Sequence, residues 1–259
     1  MRRFMRILLT NDDSYLATGI RTVFNALLDV GHDVIMIAPE HNSSGAGHSI
    51  AVYNPISITK VEDRVYFVSS TPADSVRLGL QEVYGNEYPD LVISGVNHGE
   101  NLGEDIFYSG TVGAAREGAL HGIRSLAFSM NAMKNDPDRF KHLDTAARVV
   151  VDLVAKIECN SNDLPSSFVW NVNIPNKSYN ELNGYASAKV GIRPMHEPLI
   201  KQETPRMTTI YWQGFSSQIE DYDVGTDLDL FVKHNKITIT PLELLPTNYQ
   251  ELSLINRII

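Results

Sequence analysis

Two adjacent carboxylates, Asp12 and Asp13, follow the apolar run from Ile7 to Thr10, with Asn11 between. Neighbouring carboxylates repel one another unless one is protonated or a cation bridges them. Carboxylate, hydroxyl and amide oxygens are the donors that hard divalent ions take, so a Mg²⁺-like or Mn²⁺-like site is one reading of the pair. A solvated turn or a helix-capping aspartate is the other. Oxygen donors recur after two further apolar runs. Val34 to Ala38 leads to His41, Ser43, Ser44, Gly45, Gly47, His48 and Ser49, and Leu91 to Ser94 leads to Gly95, Asn97, His98, Gly99 and Asn101. A fourth segment, Ser109, Gly110 and Thr111, stands just ahead of a helical stretch from Val112 to Leu120. Free backbone N–H groups at a helix start attract phosphate, and Gly110 permits close approach of the backbone. A plain N-cap on a helix of small residues is the competing reading.

Several familiar templates are missing from the sequence. The first apolar run is not followed by a dinucleotide-binding glycine fingerprint, and there is no P-loop, no Gly-x-Ser-x-Gly elbow and no HExxH. An aspartyl-phosphate phosphatase of the haloacid dehalogenase type wants Asp-x-Asp after the first strand, whereas these aspartates are adjacent. The single cysteine, Cys159, allows neither an intramolecular disulfide nor a cysteine-rich zinc site. Thirty-one acidic residues against 22 Lys and Arg give a net charge of −9. That balance repels phosphate backbones and argues against duplex nucleic acid as a partner. No run of 18 apolar residues occurs, and the apolar stretch after the N-terminal arginines is too short for a signal peptide, so no membrane span is expected and the expected compartment is the cytoplasm.

The elements that must position these residues alternate. Ile7–Thr10 reads as a buried strand, Gly19 to Leu28 as an amphipathic helix and Val34–Ala38 as a second strand, which is a parallel crossover unit. Short strands at 56–61 and 65–68 precede Thr71, Pro72, Ala73 and Asp74, a helix start with cap, N1 proline and N3 carboxylate. Strands at 91–94, 126–129 and 168–174 alternate with helices at 112–120 and 140–154. The pattern predicts an α/β fold in three layers around a mostly parallel, Rossmann-like sheet, with ligands gathered at the carboxyl ends of the strands. The core is expected over residues 1–184. Past about residue 185 helical periodicity disappears, and 185–259 reads as a β-rich arm with about 223–245 returning to the core. Tyr211, Trp212 and Phe215 amid polar sequence, and a tail carrying Leu252, Leu254, Ile255, Ile258 and Ile259, predict a homo-oligomer held through this arm.

The motifs ILLTNDDSYLATGI, APEHNSSGAGHSI, STPADSV, VISGVNHGENLGEDIFYSGTVGAAREG and WNVNIP, with YDVGTDLDLF and ITITPL further on, resemble the successive motifs of the SurE survival-protein family over nearly the whole chain. The resemblance implies a divalent-metal-dependent nucleotidase that removes phosphate from nucleoside 5′- and 3′-monophosphates, with one Mg²⁺ or Mn²⁺ per subunit. It puts the metal ligands on Asp12, Asp13, Ser44 and Asn97, and the phosphate-binding positions on Asn101, Ser109, Gly110 and Thr111. Asp12 and Asp13 are then the catalytic carboxylates, with Asp13 a candidate general base. Homodimers or homotetramers formed by exchange of C-terminal β arms are implied as well. A non-catalytic nucleotide or phosphate sensor using the same pocket is the alternative from another class. Two departures stand out: the family usually has glycine where this chain has Ser14 and Ser70. A glycine at position 14 suggests a turn with positive φ, which serine adopts reluctantly.

Overall fold

In the computed structural model, which describes residues 4–85, 87–131, 138, 140–192, 199–213 and 222–258, the first strand already shows how the layers are built. β1 (Arg6–Thr10) is buried on both faces. Successive side chains of a strand point to opposite sides. Ile7 and Leu9 therefore pack with Ile20, Val23, Phe24 and Leu27 of α1 (Thr18–Asp29) and with Val149, Val150 and Leu153 of α4 (Leu143–Cys159). Leu8 packs on the other side with Val76 of α2 (Pro72–Gly79) and Ala114 of α3 (Gly110–Leu120). Two helices cover each face of the sheet.

The remaining strands are β2 (Asp33–Pro39), β3 (Ile58–Glu62), β4 (Val65–Val68), β5 (Leu91–His98), β6 (Arg124–Met130), β7 (Phe168–Ile174), β8 (Tyr185–Ser187) and β11 (Ile237–Leu242). They form one nine-stranded sheet in the order β3-β4-β2-β1-β5-β6-β7-β11-β8. From β4 to β7 every neighbour pair is parallel. β3 is antiparallel to β4 at one edge, with a register shift between Lys60 and Glu62. At the other edge β11 runs antiparallel to β7 and parallel to the three-residue β8. The expected three-layer, mostly parallel α/β architecture is what the chain adopts. β1 is the switch point: the connection through α1 leads to β2 on one side, while β5 lies on the other.

Local chemistry explains the helix starts. Thr71 caps α2 by accepting from Asp74 N, with Pro72 at the first helical position, as the sequence predicts. Five residues of π-helix, Leu80–Tyr84, extend that helix before Gly85. Outside the main sheet, β9 (Ile200–Glu203) and β10 (Thr209–Trp212) form a hairpin. The expectation that helix is absent past residue 185 is overturned. α5 (Asp227–Val232) is capped by Thr226 and α6 (Tyr249–Ile258) carries the apolar tail. Six residues make fewer than two turns, too few to repeat the helical spacing, and alternation near Leu252 and Leu254 resembles a strand. Within the arm, residues 193–198 and 214–221, including Phe215, and Ile259 lie outside the described residues.

Candidate active site

The carboxyl ends of β1, β2 and β5 converge with the amino end of α3. Asp12 is 3% exposed. Thr111 donates its hydroxyl to Asp12 Oδ1, and Ser43 N donates to the Asp12 carbonyl at 2.7 Å. Gly110 lies against the same carboxylate. A Cβ at position 110 would come within 2.8 Å of Asp12 Cβ and 3.1 Å of Oδ2. Glycine is the residue that lets α3 begin there. Burial pushes the Asp12 carboxyl up to about 6; the Thr111 hydrogen bond opposes that rise, and the neighbouring Asp13 charge adds to it.

Asp13 has a different set of partners. Its Oδ2 accepts from His98 N at 3.1 Å and its Oδ1 from Asn42 Nδ2 at 3.3 Å. His98 Nδ1 lies 3.6 Å from Asp13 Oδ2, while its Nε2 accepts from Gly19 N at 3.2 Å. Asn97, beside His98, donates Nδ2 to Gly99 O at 2.8 Å, so the oxygen is the end of that amide left to offer a cation. Ser44 is exposed on the loop after β2 and reaches the pair through one intermediary, its N–H donating to Asn42 Oδ1 at 3.0 Å. Ser44 also lines a cleft of about 450 Å³, together with Glu40, His41, Ser43, Gly45, Ala46 and the stretch from Val68 to Thr71.

The donor set fits a hard divalent ion. It comprises two adjacent carboxylates, Asp12 buried beside the charge of Asp13, with the Ser44 hydroxyl on the loop that Asn42 ties to Asp13 and the Asn97 amide oxygen next to His98, whose N–H donates to Asp13. Thr10 Oγ1, Asn11 Oδ1 and Ser94 Oγ are also buried without a protein partner among the described residues; Thr10 ends β1, Asn11 follows it, and Ser94 is the residue of β5 that pairs with Thr10.

At the start of α3, Ser109 Oγ accepts from Val112 N at 3.1 Å, and Ser109 O from Gly113 N at 3.0 Å. The N–H groups of Gly110 and Thr111 have no intrahelical partner, which is the arrangement that receives an anion. Both side-chain hydroxyls of this turn are thus engaged with protein, and what it presents is backbone. Asn101 is 7% exposed. Its N–H donates to Asn173 Oδ1 at 2.8 Å, its Nδ2 to Ser129 Oγ at 2.7 Å, and its carbonyl accepts from Asn171 Nδ2 and Asn173 Nδ2 at 2.7 and 3.1 Å.

A match to the family model described as survival protein SurE runs over residues 7–197. The chain belongs to the SurE family. It is 41% identical to the 5′-nucleotidase SurE of Nitrosomonas europaea over 248 residues, 96% of each chain. The 5′-nucleotidase SurE of Stenotrophomonas maltophilia strain R551-3 is 39% identical, with 96% of this chain and 93% of that one covered. The crystal structure of the SurE protein from Aquifex aeolicus superposes with a TM-score of 0.84 at 37% identity, covering 98% of this chain and 99% of that one.

Against the SurE pattern, Ser14 is the departure that matters for geometry. It sits at φ +96°, so the turn after the paired aspartates keeps a glycine-like conformation with a serine in it. Asn11 Nδ2 helps by donating to Ser14 O at 2.9 Å. Several side chains that organise this SurE site were not singled out from the sequence. Asn171 and Asn173 hold Asn101 from β7, and their signal was two amides at alternate positions of an otherwise apolar buried strand. Asp227, fully buried at the start of α5, accepts from Gly103 N at 2.9 Å and from Gly191 N at 2.8 Å, and so ties the loop after β5 to the C-terminal region. A larger cleft of about 670 Å³, lined by Met5, Asp90, His121, Arg124 and Cys159 among others, lies at the amino ends of the strands and contains none of the site residues.

Proposed function

We propose that this chain is a divalent-metal-dependent phosphomonoesterase that hydrolyses nucleoside 5′- and 3′-monophosphates to nucleoside and phosphate, using one Mg²⁺ or Mn²⁺ per subunit. The name 5′-nucleotidase carried by relatives about 40% identical over nearly the full chain supports the reaction class. The observation that carries the reading on this chain is Asp12, next to Asp13 and set against the open end of α3, which brings cation-binding and anion-binding groups to one place. Asp12, Asp13, Ser44 and Asn97 would hold the ion. When bound, it neutralises charge on the phosphoryl group and activates water for in-line attack.

The rest is work for the protein's own groups. The Gly110 and Thr111 N–H groups receive the phosphoryl oxygens, aided by the helix dipole of α3. Ser109 fixes the turn that presents them, and Asn101, held on three sides by β6 and β7, completes the rim. Asp12 stays tied to Thr111 and so keeps the metal-binding and phosphate-binding halves in register. Asp13, with its side chain about 10% exposed, is the carboxylate we assign to proton transfer from water. The active form is a homodimer or homotetramer joined through the region after residue 185. In support, Ile200, Tyr211 and Trp212 of the hairpin and Leu252, Ile255 and Ile258 of α6 are all exposed on the single chain.

A panel of 5′- and 3′-monophosphates assayed with Mg²⁺, Mn²⁺ and EDTA tests the reading. Phosphate release should need added metal, and Asp13→Asn should lower it by at least about 100-fold while the protein stays folded. Full turnover after metal stripping would remove the proposal. Tight nucleotide binding without any release would restore the sensor.

A further inference from the structure

The loop that carries Ser44 is fastened at a second place, away from the carboxylate pair. Gly47 N donates to Tyr108 O at 2.9 Å, and a Cβ on Gly113 would come within 2.2 Å of Gly47 O, so this part of the loop lies directly on the backbone of α3. One residue on, His48 Nε2 meets Glu117 Oε2 at 2.7 Å. Glu117 is two turns into α3, and its side chain is only 11% exposed. Its other oxygen faces His121 Nε2 at 3.2 Å and Arg77 Nε at 3.6 Å. Burial alone would raise this carboxyl. The His48 hydrogen bond and the charges of His48, His121 and Arg77 outweigh burial and hold it below the usual range.

Arg77 also reaches Asp74 Oδ1 at 3.8 Å, and Asp74 Oδ2 accepts from Ala51 N at 2.8 Å. Thr71 Oγ1 donates to Ser49 O at 2.7 Å. The stretch 48–51 is thus pinned at both ends by carboxylates on α2 and α3, with Arg77 between them. Upstream, Ser49 N donates to Ala46 O and Ala46 N to Ser43 O, two successive tight turns that leave little slack between His48 and Ser44.

We propose that Glu117 is a positioning residue: by holding His48 it fixes the loop after β2 on the helix that receives phosphate, and so sets where Ser44 stands relative to Asp12 and Asp13. The inference rests on the nucleotidase reading for the meaning of Ser44, but its mechanical part stands apart from any activity. The same α3 then aligns both halves of the site, phosphate at its first turn and the Ser44 loop two turns later.

Glu117→Gln keeps the shape, removes the charge and sets an N–H group against donors that now face a carboxylate. In the full-length variant, hydrogen exchange across residues 41–51 should accelerate several-fold while the start of α3 keeps its protection. Calorimetric titration with Mn²⁺ alone should give a dissociation constant raised by about tenfold, the scale expected when a group supporting a metal ligand is lost. Turnover at saturating Mn²⁺ should recover most of the unsubstituted rate, a split that a general loss of folding does not produce. His48→Asn cuts the same bond from the loop side and should reproduce both effects, with the double variant no worse than either single one. Unchanged exchange at 41–51, or an unchanged Mn²⁺ constant, in either variant would overturn the proposal. Failure of the nucleotidase reading shows separately, as absence of metal-dependent phosphate release from the unsubstituted protein.

Discussion

Replacing Gly110 with alanine puts a methyl group where three atoms already stand. Its carbon would lie 2.8 Å from Asp12 Cβ, 3.1 Å from Asp12 Oδ2 and 3.1 Å from Pro72 Cγ. Carbon atoms settle at about 3.5–4.0 Å, so α3 and the loop after β1 must part by roughly 0.7 Å or more. Neither side gives way freely. Asp12 is tied to Thr111 and to Ser43 N, and Pro72 is a rigid ring at the first position of α2. Overpacking of this kind costs about 1–3 kcal/mol. The higher helix propensity of alanine returns at most about 1 kcal/mol, and less at a helix end. The net loss should be about 1–2 kcal/mol, which for a chain of this size lowers Tm by roughly 2–8 °C. Because the atom displaced belongs to Asp12, Mn²⁺ binding should weaken by at least about tenfold, along with inhibition by inorganic phosphate. Thermal unfolding followed by circular dichroism, with calorimetric Mn²⁺ titration of the same preparation, measures both. A Tm within about 1 °C of the unsubstituted protein together with an unchanged Mn²⁺ constant would refute the packing argument.

Three further outcomes follow from other parts of the chain. The Asp12 carboxyl sits near 3.8 when unfolded and at about 6 when folded, so between those values the folded form holds a proton that the unfolded form lacks. Metal-free protein should therefore lose about 3 kcal/mol as pH rises from about 4 to about 6, and then level off. The difference from Asp12→Asn in urea midpoints at about pH 4.5 and pH 7 isolates that contribution, and a flat difference contradicts it. Ser14→Gly should stabilise by about 1 kcal/mol by relieving a side chain at φ +96°; no gain in Tm would show that the turn carries no strain. Light scattering should give two or four times the 28.9 kDa of one chain, falling to one when residues 193–222 are replaced by a short linker; a monomeric mass for the intact protein excludes assembly through the arm.

What the sequence makes legible is what short-range chemistry decides. Thr71, Pro72 and Asp74 specify a helix start completely, and continuous apolar runs such as Leu8 to Leu9 and Val34 to Ala38 admit little but buried strands. Donors at strand ends can be collected by rule once the parallel sheet is inferred. Relations between distant segments are a different matter. Nothing local to Asp227 says that it will receive N–H groups from Gly103 and Gly191, and nothing in the Ser109 turn shows that Thr111 will spend its hydroxyl on Asp12. α5 is not legible although Thr226 and Asp229 form a cap, because its six residues make fewer than two turns and four of them are buried, which leaves no amphipathic repeat to display. Locally Asp74 is the N3 carboxylate of its helix start and nothing more, and Glu117 has no neighbour in sequence that marks it out. Only the packing of α2 against α3 turns them into anchors for the loop from His48 to Ala51.

The two borders of the nine-stranded sheet bear on how copies of the chain can meet. A long, flat, apolar border invites another strand to add, and addition at both sides would have no natural end. Here one border strand is largely exposed, interrupted by a register shift and carries exposed Lys60 and Glu62, with Glu62 held by Arg21 and Lys60 beside Asp63. The opposite border is only three residues long. Both are poor templates for growth into filaments. The exposed apolar side chains of the hairpin and of the C-terminal helix lie outside that sheet, so contact between copies through them would not lengthen it.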